Sequence, residues 1–168
     1  MRRRSVRLQN FNYSQPGFYF VTICSQNREC LFGDIVGNEV HLNAAGQMIT
    51  KWWLELTNKF PTVERDVFIV MPNHVHGIIG LSDTFVGAAL RGRPENEDID
   101  SNFGLGRPHR GAPTLGHVID WFKTMTTNEY IRAVKGKMGW PCFPGKLWQR
   151  NYYERVIRNE EELFKIRQ

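Results

Sequence analysis

A chain of 168 residues has room for one domain with a real core and hardly for two. Its 41% hydrophobic and 12% aromatic content excludes a disordered polymer, and no apolar stretch reaches the roughly 20 residues that cross a bilayer. Lys and Arg outnumber Asp and Glu by 22 to 17, a net charge of +5 that favours polyanionic partners through counterion release without naming one.

Cys24, Cys30 and Cys142 cannot all pair with one another. The N-terminal MRRRSVRLQNFNY is charged but has no apolar run behind it, so it is no secretory signal. Both facts point to reduced thiols in a cytoplasmic protein.

In chain order, GFYFVTICS (17–25) is β-branched and aromatic and follows a Gln15-Pro16-Gly17 turn, which predicts a strand. Residues 31–42 read as a second extended segment, broken at Gly37-Asn38 like a hairpin. The period then changes. Met48, Ile49, Trp52, Trp53, Leu56 and Phe60 recur at three- and four-residue intervals, an amphipathic helix capped by Asn43 and stopped by Pro61. VERDVFIVMP (63–72) and residues 74–81 are strands with only Pro72-Asn73 between them, hence antiparallel neighbours.

Residues 82–113 turn to Gly, Pro, Arg, Asp and Asn. That is too long for an ordinary connection, and too little chain follows to build a second core, so a long mobile loop within one domain is expected. Thr114 caps a helix to Lys135 with Leu115, Val118, Ile119, Phe122 and Met125 along one side. After a turn-rich stretch (136–145) comes LWQRNYYERVIRN. Asn159, followed by Glu160, Glu161 and Glu162, then opens a helix that is still running at Gln168 and reads as cut short. The order predicts a single α+β domain over 1–168. Its mostly antiparallel sheet carries helices packed on one face, in a ferredoxin-like sandwich.

The run VMPNHVHGII puts His74 and His76 two apart on a strand, so both imidazoles point to one face and together can chelate a cation. Gly77 beside them reads as room for a ligand to approach. Each histidine could instead be a satisfied polar group. If a metal is held, Mg²⁺ or Mn²⁺ completed by phosphate and water suits the pair. Zn²⁺ would look to Cys24 and Cys30, whose separation makes a poor clip. For phosphate contact, Arg2, Arg3 and Arg4 offer a basic arm, and Lys123, Arg150 and Arg158 lie on ordered elements flanking the pair. Arg91, Arg93, Arg107 and Arg110 are interrupted by Glu95, Glu97, Asp98 and Asp100 and read as a solvated loop. Trp121 and Trp148 are candidates for base stacking, with packing as the alternative.

PNHVHGII, preceded by a Trp-Trp helix and followed by TLGHVIDWFKTMTTNEYIR and LWQRNYYERVIRN, resembles the REP-associated tyrosine transposases. These are relatives of the single-tyrosine insertion-sequence transposases in the His-hydrophobe-His nuclease superfamily. The resemblance implies that His74 and His76 hold a divalent metal, Mg or Mn, that polarises a DNA phosphate. It implies that a tyrosine on a late helix attacks, becomes linked to the 5′ side and frees a 3′-OH. Single-stranded and hairpin DNA are the implied substrates, and a monomer or homodimer the implied state. It also puts the nucleophile directly after Gln168, so impaired cleavage is the expectation. Tyr152 and Tyr153 then read as packing, with Tyr153 the substitute nucleophile, while Tyr130, Tyr13 and Tyr19 lack motif support. A hairpin-binding protein that does not cut, and a metal-dependent phosphoesterase, are the competing readings.

Overall fold

The computed structural model describes residues 16–82, 113–143 and 145–168. The expected loop over 82–113 and the arginines 2–4 therefore lie almost wholly outside the described residues. Strand β1 (Gly17–Cys24) leads through a tight turn to a hairpin of β2 (Gly33–Val36) and β3 (Glu39–Leu42). Gly37 and Asn38 both adopt left-handed φ, +56° and +69°, as a two-residue hairpin turn requires.

Helix α1 (Ala44–Leu54) begins where expected, with the Asn43 side chain accepting the Gly46 N–H at 3.0 Å. After Glu55 the short α2 (Leu56–Lys59) continues to Phe60, and Pro61 ends it. Strands β4 (Val63–Met71) and β5 (His74–Leu81) are antiparallel neighbours across the Pro72-Asn73 turn. Helix α3 (Leu115–Lys135) is capped by Thr114, which accepts the His117 N–H. Strand β6 (Tyr153–Ile157) and helix α4 (Glu160–Arg167) close the described chain.

The main sheet has the order β4-β5-β1-β6, every neighbour antiparallel. With the hairpin set aside, this is a strand-helix-strand-strand-helix-strand order with the first and third strands central, the ferredoxin-like arrangement expected. Helices α1 and α3 cover one face. There Trp53 stacks on Phe68 of β4 and meets Phe122 of α3 edge-on. Val21, Ile23, Val75 and Ile79 supply the sheet side of that core, and Ile49, Val118 and Ile119 the helix side, all fully buried. Burial on this scale, at ~25 cal/mol per Å² of apolar surface, is what holds the two layers together.

Gly77 belongs to this packed face. A β-carbon there would sit 2.3 Å from Cζ2 of Trp53. The glycine makes room for an indole, and the sequence reading that it makes room for a ligand is corrected.

The last helix adds to the expected layers. It runs over the opposite face of the sheet, from β6, where Arg155 pairs with Glu162, to β4, where Arg167 pairs with Asp66. Its N-terminus is capped by Asn159, which accepts the Glu162 N–H at 2.8 Å, while the Glu162 carboxylate accepts the Arg158 N–H at 3.0 Å. Among the described residues, no helix is long and apolar enough to cross a membrane.

Candidate metal centre

Strand alternation sends His74 and His76 away from the packed core, onto the face that α4 crosses. Cross-strand register builds a row there of Ile69, His76, Thr22 and Tyr153, and a second row of Met71, His74 and Cys24. Both imidazoles are half-buried.

Their rings are nearly perpendicular, 78° apart, with centroids at 4.4 Å, and Nε2 of His74 lies 2.8 Å from Nε2 of His76. Each Nδ1 is held from behind. His74 Nδ1 lies 2.6 Å from Asn73 Oδ1, and His76 Nδ1 lies 2.7 Å from Thr22 Oγ1. Phe20 stacks on the His76 ring at 5.5 Å and 19°.

Proton positions follow from this network. The Asn73 amide donates through Nδ2 to the Arg28 carbonyl at 3.2 Å, so its Oδ1 is the acceptor and His74 Nδ1 donates to it. A neutral His74 then offers a bare lone pair at Nε2. To meet it at 2.8 Å, His76 donates from Nε2 and accepts at Nδ1 from the Thr22 hydroxyl. A hydroxyl can also accept. If Thr22 rotates, the His76 proton moves to Nδ1 and both Nε2 lone pairs face one point.

Neutral imidazoles are favoured here. Burial pushes the His74 pKa below its ordinary value, aided by the charges of His76 and Arg28, and burial alone lowers that of His76. Two neutral nitrogen donors converging on one point fit Mn²⁺, and Mg²⁺ with more reliance on oxygen, with water and phosphate completing the shell. Among the described residues no third His, Cys, Asp or Glu completes a metal-binding cluster, Cys24 and Cys30 included, and all three cysteines are free thiols.

The other candidates divide. Lys123 is turned inward, its ammonium donating to the carbonyls of Gln149 and Arg150 and lying over the Tyr152 ring. Arg150 and Arg158 are exposed. Lys123, Lys146 and Arg150 line an open groove between α3 and the segment before β6. Trp148 is 5% exposed and donates to Thr126, so it is a packing residue, while Trp121 is partly buried and packs edge-on against Trp52 and Phe60.

Of the tyrosines, Tyr130 is buried, donates to the Pro141 carbonyl and has its pKa pushed up to about 12, chiefly by burial. Tyr19 and Tyr152 face the core side, and Tyr13 lies outside the described residues. Tyr153, expected as packing, is 52% exposed and shares the histidine face, two strands from His76 in the same row, ~10 Å at the usual strand spacing. Residues 166–168, at the end of α4, line a recess of ≈ 270 Å³ together with Phe20, Ile69, His76 and Ile78.

Sequence reasoning missed Thr22 and Asn73. Strand parity was available for Thr22, but its partner strand was not.

No protein-family model matches the chain. An uncharacterized protein of Haemophilus influenzae is 35% identical over 168 residues, the match covering 98% of this chain and 83% of that protein. Among solved structures, a Deinococcus radiodurans protein described as a "putative transposase" superposes with a TM-score of 0.50 at 12% identity, over 95% of this chain and 91% of that one. The REP-associated tyrosine transposase bound to a REP hairpin gives a TM-score of 0.48 at 17% identity. That match covers 89% of this chain, which spans 61% of the transposase's length.

Proposed function

We propose that this chain, which belongs to the same family as the uncharacterized Haemophilus influenzae protein, is a divalent-metal-assisted DNA endonuclease and strand transferase. Its substrate in this reading is single-stranded DNA beside a hairpin, as for the REP-associated tyrosine transposases that its motifs resemble. The observation that carries the reading is the convergence of His74 and His76 at 2.8 Å between Nε2 atoms, half-buried on the sheet face that α4 crosses and backed by Thr22 and Asn73. A strand has no packing need for two half-buried imidazoles arranged this way. The fold shared with the Deinococcus protein is consistent with it.

His74 and His76 would hold the cation, which when bound draws charge from the non-bridging oxygens of the scissile phosphate. The chain's own residues do the rest. Asn73 and Thr22 orient the rings, and Phe20 fixes the plane of His76. A tyrosine oxygen attacks phosphorus in line, the phenol proton passes to solvent, and the P–O3′ bond breaks. The 3′ oxygen leaves as a hydroxyl after taking a proton from water. Among the described tyrosines, Tyr153 has the exposure and the face for that attack.

The test is incubation of the protein with a labelled hairpin oligonucleotide bearing single-stranded flanks, with Mn²⁺ and with EDTA. A protein–DNA band that survives denaturation, requires Mn²⁺ and vanishes in His74→Ala establishes the activity. Loss of the band in Tyr153→Phe assigns the nucleophile to β6, and its persistence places the attack elsewhere. Tight hairpin binding with neither adduct nor nicking would sink the nuclease reading and leave a binding protein. Nicking through free 5′-phosphate ends without any adduct would identify a hydrolytic phosphoesterase.

A further inference from the structure

The turn that follows β1 is unusual for its composition. Asn27 and Arg28 are consecutive non-glycine residues, and both sit at left-handed φ, +56° and +58°. Asn tolerates that region, but Arg adopts it rarely. The turn is pinned on every side. Ser25, fully buried, donates through its backbone to the Asn73 carbonyl at 2.9 Å and through its hydroxyl to the Glu29 carbonyl at 2.8 Å. Gln26 donates to the Leu147 carbonyl at 2.8 Å. Asn73 Nδ2 donates to the Arg28 carbonyl at 3.2 Å, while Oδ1 of the same amide accepts from His74.

One planar amide thus fixes both the Arg28 backbone and the His74 ring, so their spacing is set by a single rigid group. The Arg28 side chain is exposed, and among the described residues it makes no ion pair. Neutral imidazoles give a guanidinium on the neighbouring turn no countercharge. An anion between the two would satisfy both sides.

We infer that Arg28 is a phosphate-binding residue of this site, positioned by Asn73 to grip the DNA backbone at or next to the phosphate presented to His74 and His76. The inference rests on the single-strand nuclease reading and adds to it the group that sets the substrate's backbone beside the histidines. Guanidinium suits the task because its fork meets two phosphate oxygens at once.

The experiment uses the full chain, a fluorescent hairpin oligonucleotide with a single-stranded flank, and Mn²⁺, with Mn²⁺ affinity followed separately by electron paramagnetic resonance. Arg28→Ala is expected to leave Mn²⁺ affinity unchanged. It should weaken oligonucleotide binding by about tenfold and reduce the salt slope by about one. Arg28→Lys should restore the slope but only part of the affinity. A single neutral methylphosphonate, moved along the flank, should weaken wild type at one position and leave Arg28→Ala indifferent there. Wild-type affinity and salt slope in Arg28→Ala, with Mn²⁺ binding intact, would overturn the assignment while sparing the nuclease reading. A wild-type protein that binds neither Mn²⁺ nor the oligonucleotide removes both together.

Discussion

His74 Nε2 lies 2.8 Å from His76 Nε2, with Thr22 and Asn73 holding the two rings from behind. At that separation one nitrogen donates to the other, and a cation can enter only if that proton goes to His76 Nδ1. Thr22 permits the transfer because its hydroxyl can either donate to Nδ1 or accept from it. Thr22→Val keeps the shape and removes the acceptor. Its Mn²⁺ affinity, titrated by calorimetry, should fall by about 10–100-fold, the range usual for groups that orient a ligand from behind, while Thr22→Ser stays close to wild type. Equal affinity in Thr22→Val and wild type would mean that the hydroxyl takes no part.

The same pair sets a pH dependence. Burial, with the charges of His76 and Arg28 added, holds His74 below its ordinary value, and burial does the same for His76. A folded-state pKa below the unfolded one means that the unfolded chain takes up protons first. Stability from the neutral pair is therefore full above about pH 6.5 and is lost as pH falls from there towards the folded values. Mn²⁺ binding should follow the same course, flat above pH 7 and declining below about 6.5. A decline centred above that would show the imidazoles to be more basic than their surroundings dictate.

Gly77 makes a prediction about stability, not chemistry. Its missing β-carbon is the space into which the Trp53 indole fits, so Gly77→Ala overpacks a fully buried contact. Backbone or ring must shift, and a loss of about 1–3 kcal/mol in urea unfolding is expected. The loss should shrink in a Trp53→Phe background, where a smaller ring leaves space, and equal losses in both would place the strain elsewhere.

What was legible in the sequence was what local chemistry decides. Asn43, Thr114 and Asn159 each cap a helix as the residue types predict, because a cap needs only a side-chain oxygen and an N–H three residues on. Strand parity put His74 and His76 on one face for the same reason. Sheet order is a long-range matter, so the neighbours of β1 were not legible, nor was Thr22 beside His76 or Tyr153 in its row. Tyr153 reads as packing beside Tyr152, yet a strand sends the two to opposite faces, and only Tyr152 packs against the core. The turn at Asn27 and Arg28 carries no glycine to announce its left-handed backbone. Its conformation is imposed from outside by Asn73 and Leu147.

Helix α4 is tied across the histidine face at its far end by Arg167 on Asp66. The guanidinium hydrogen-bonded to Asp66 holds that carboxyl below the usual carboxylate range, and the backbone N–H of Val67 adds to the effect. A depressed folded-state pKa stabilises fully above the unfolded value, about 3.9, and that contribution is lost as pH falls through the folded value. At pH 7, Asp66→Asn should loosen the end of α4. Amide exchange across residues 160–167 should quicken in the variant, while strands β1 and β5 keep wild-type protection. As pH falls towards the folded value, the protection of wild-type α4, taken relative to the intrinsic exchange rate at each pH, should fall towards that of the variant, because protonation removes the same bond. The recess that residues 166–168 share with His76 should then open with the helix. Unchanged exchange in Asp66→Asn at pH 7 would show that this ion pair is dispensable and that the Arg155–Glu162 pair and Ile166, which lines the same recess as Phe20 and Ile78, hold α4 without it.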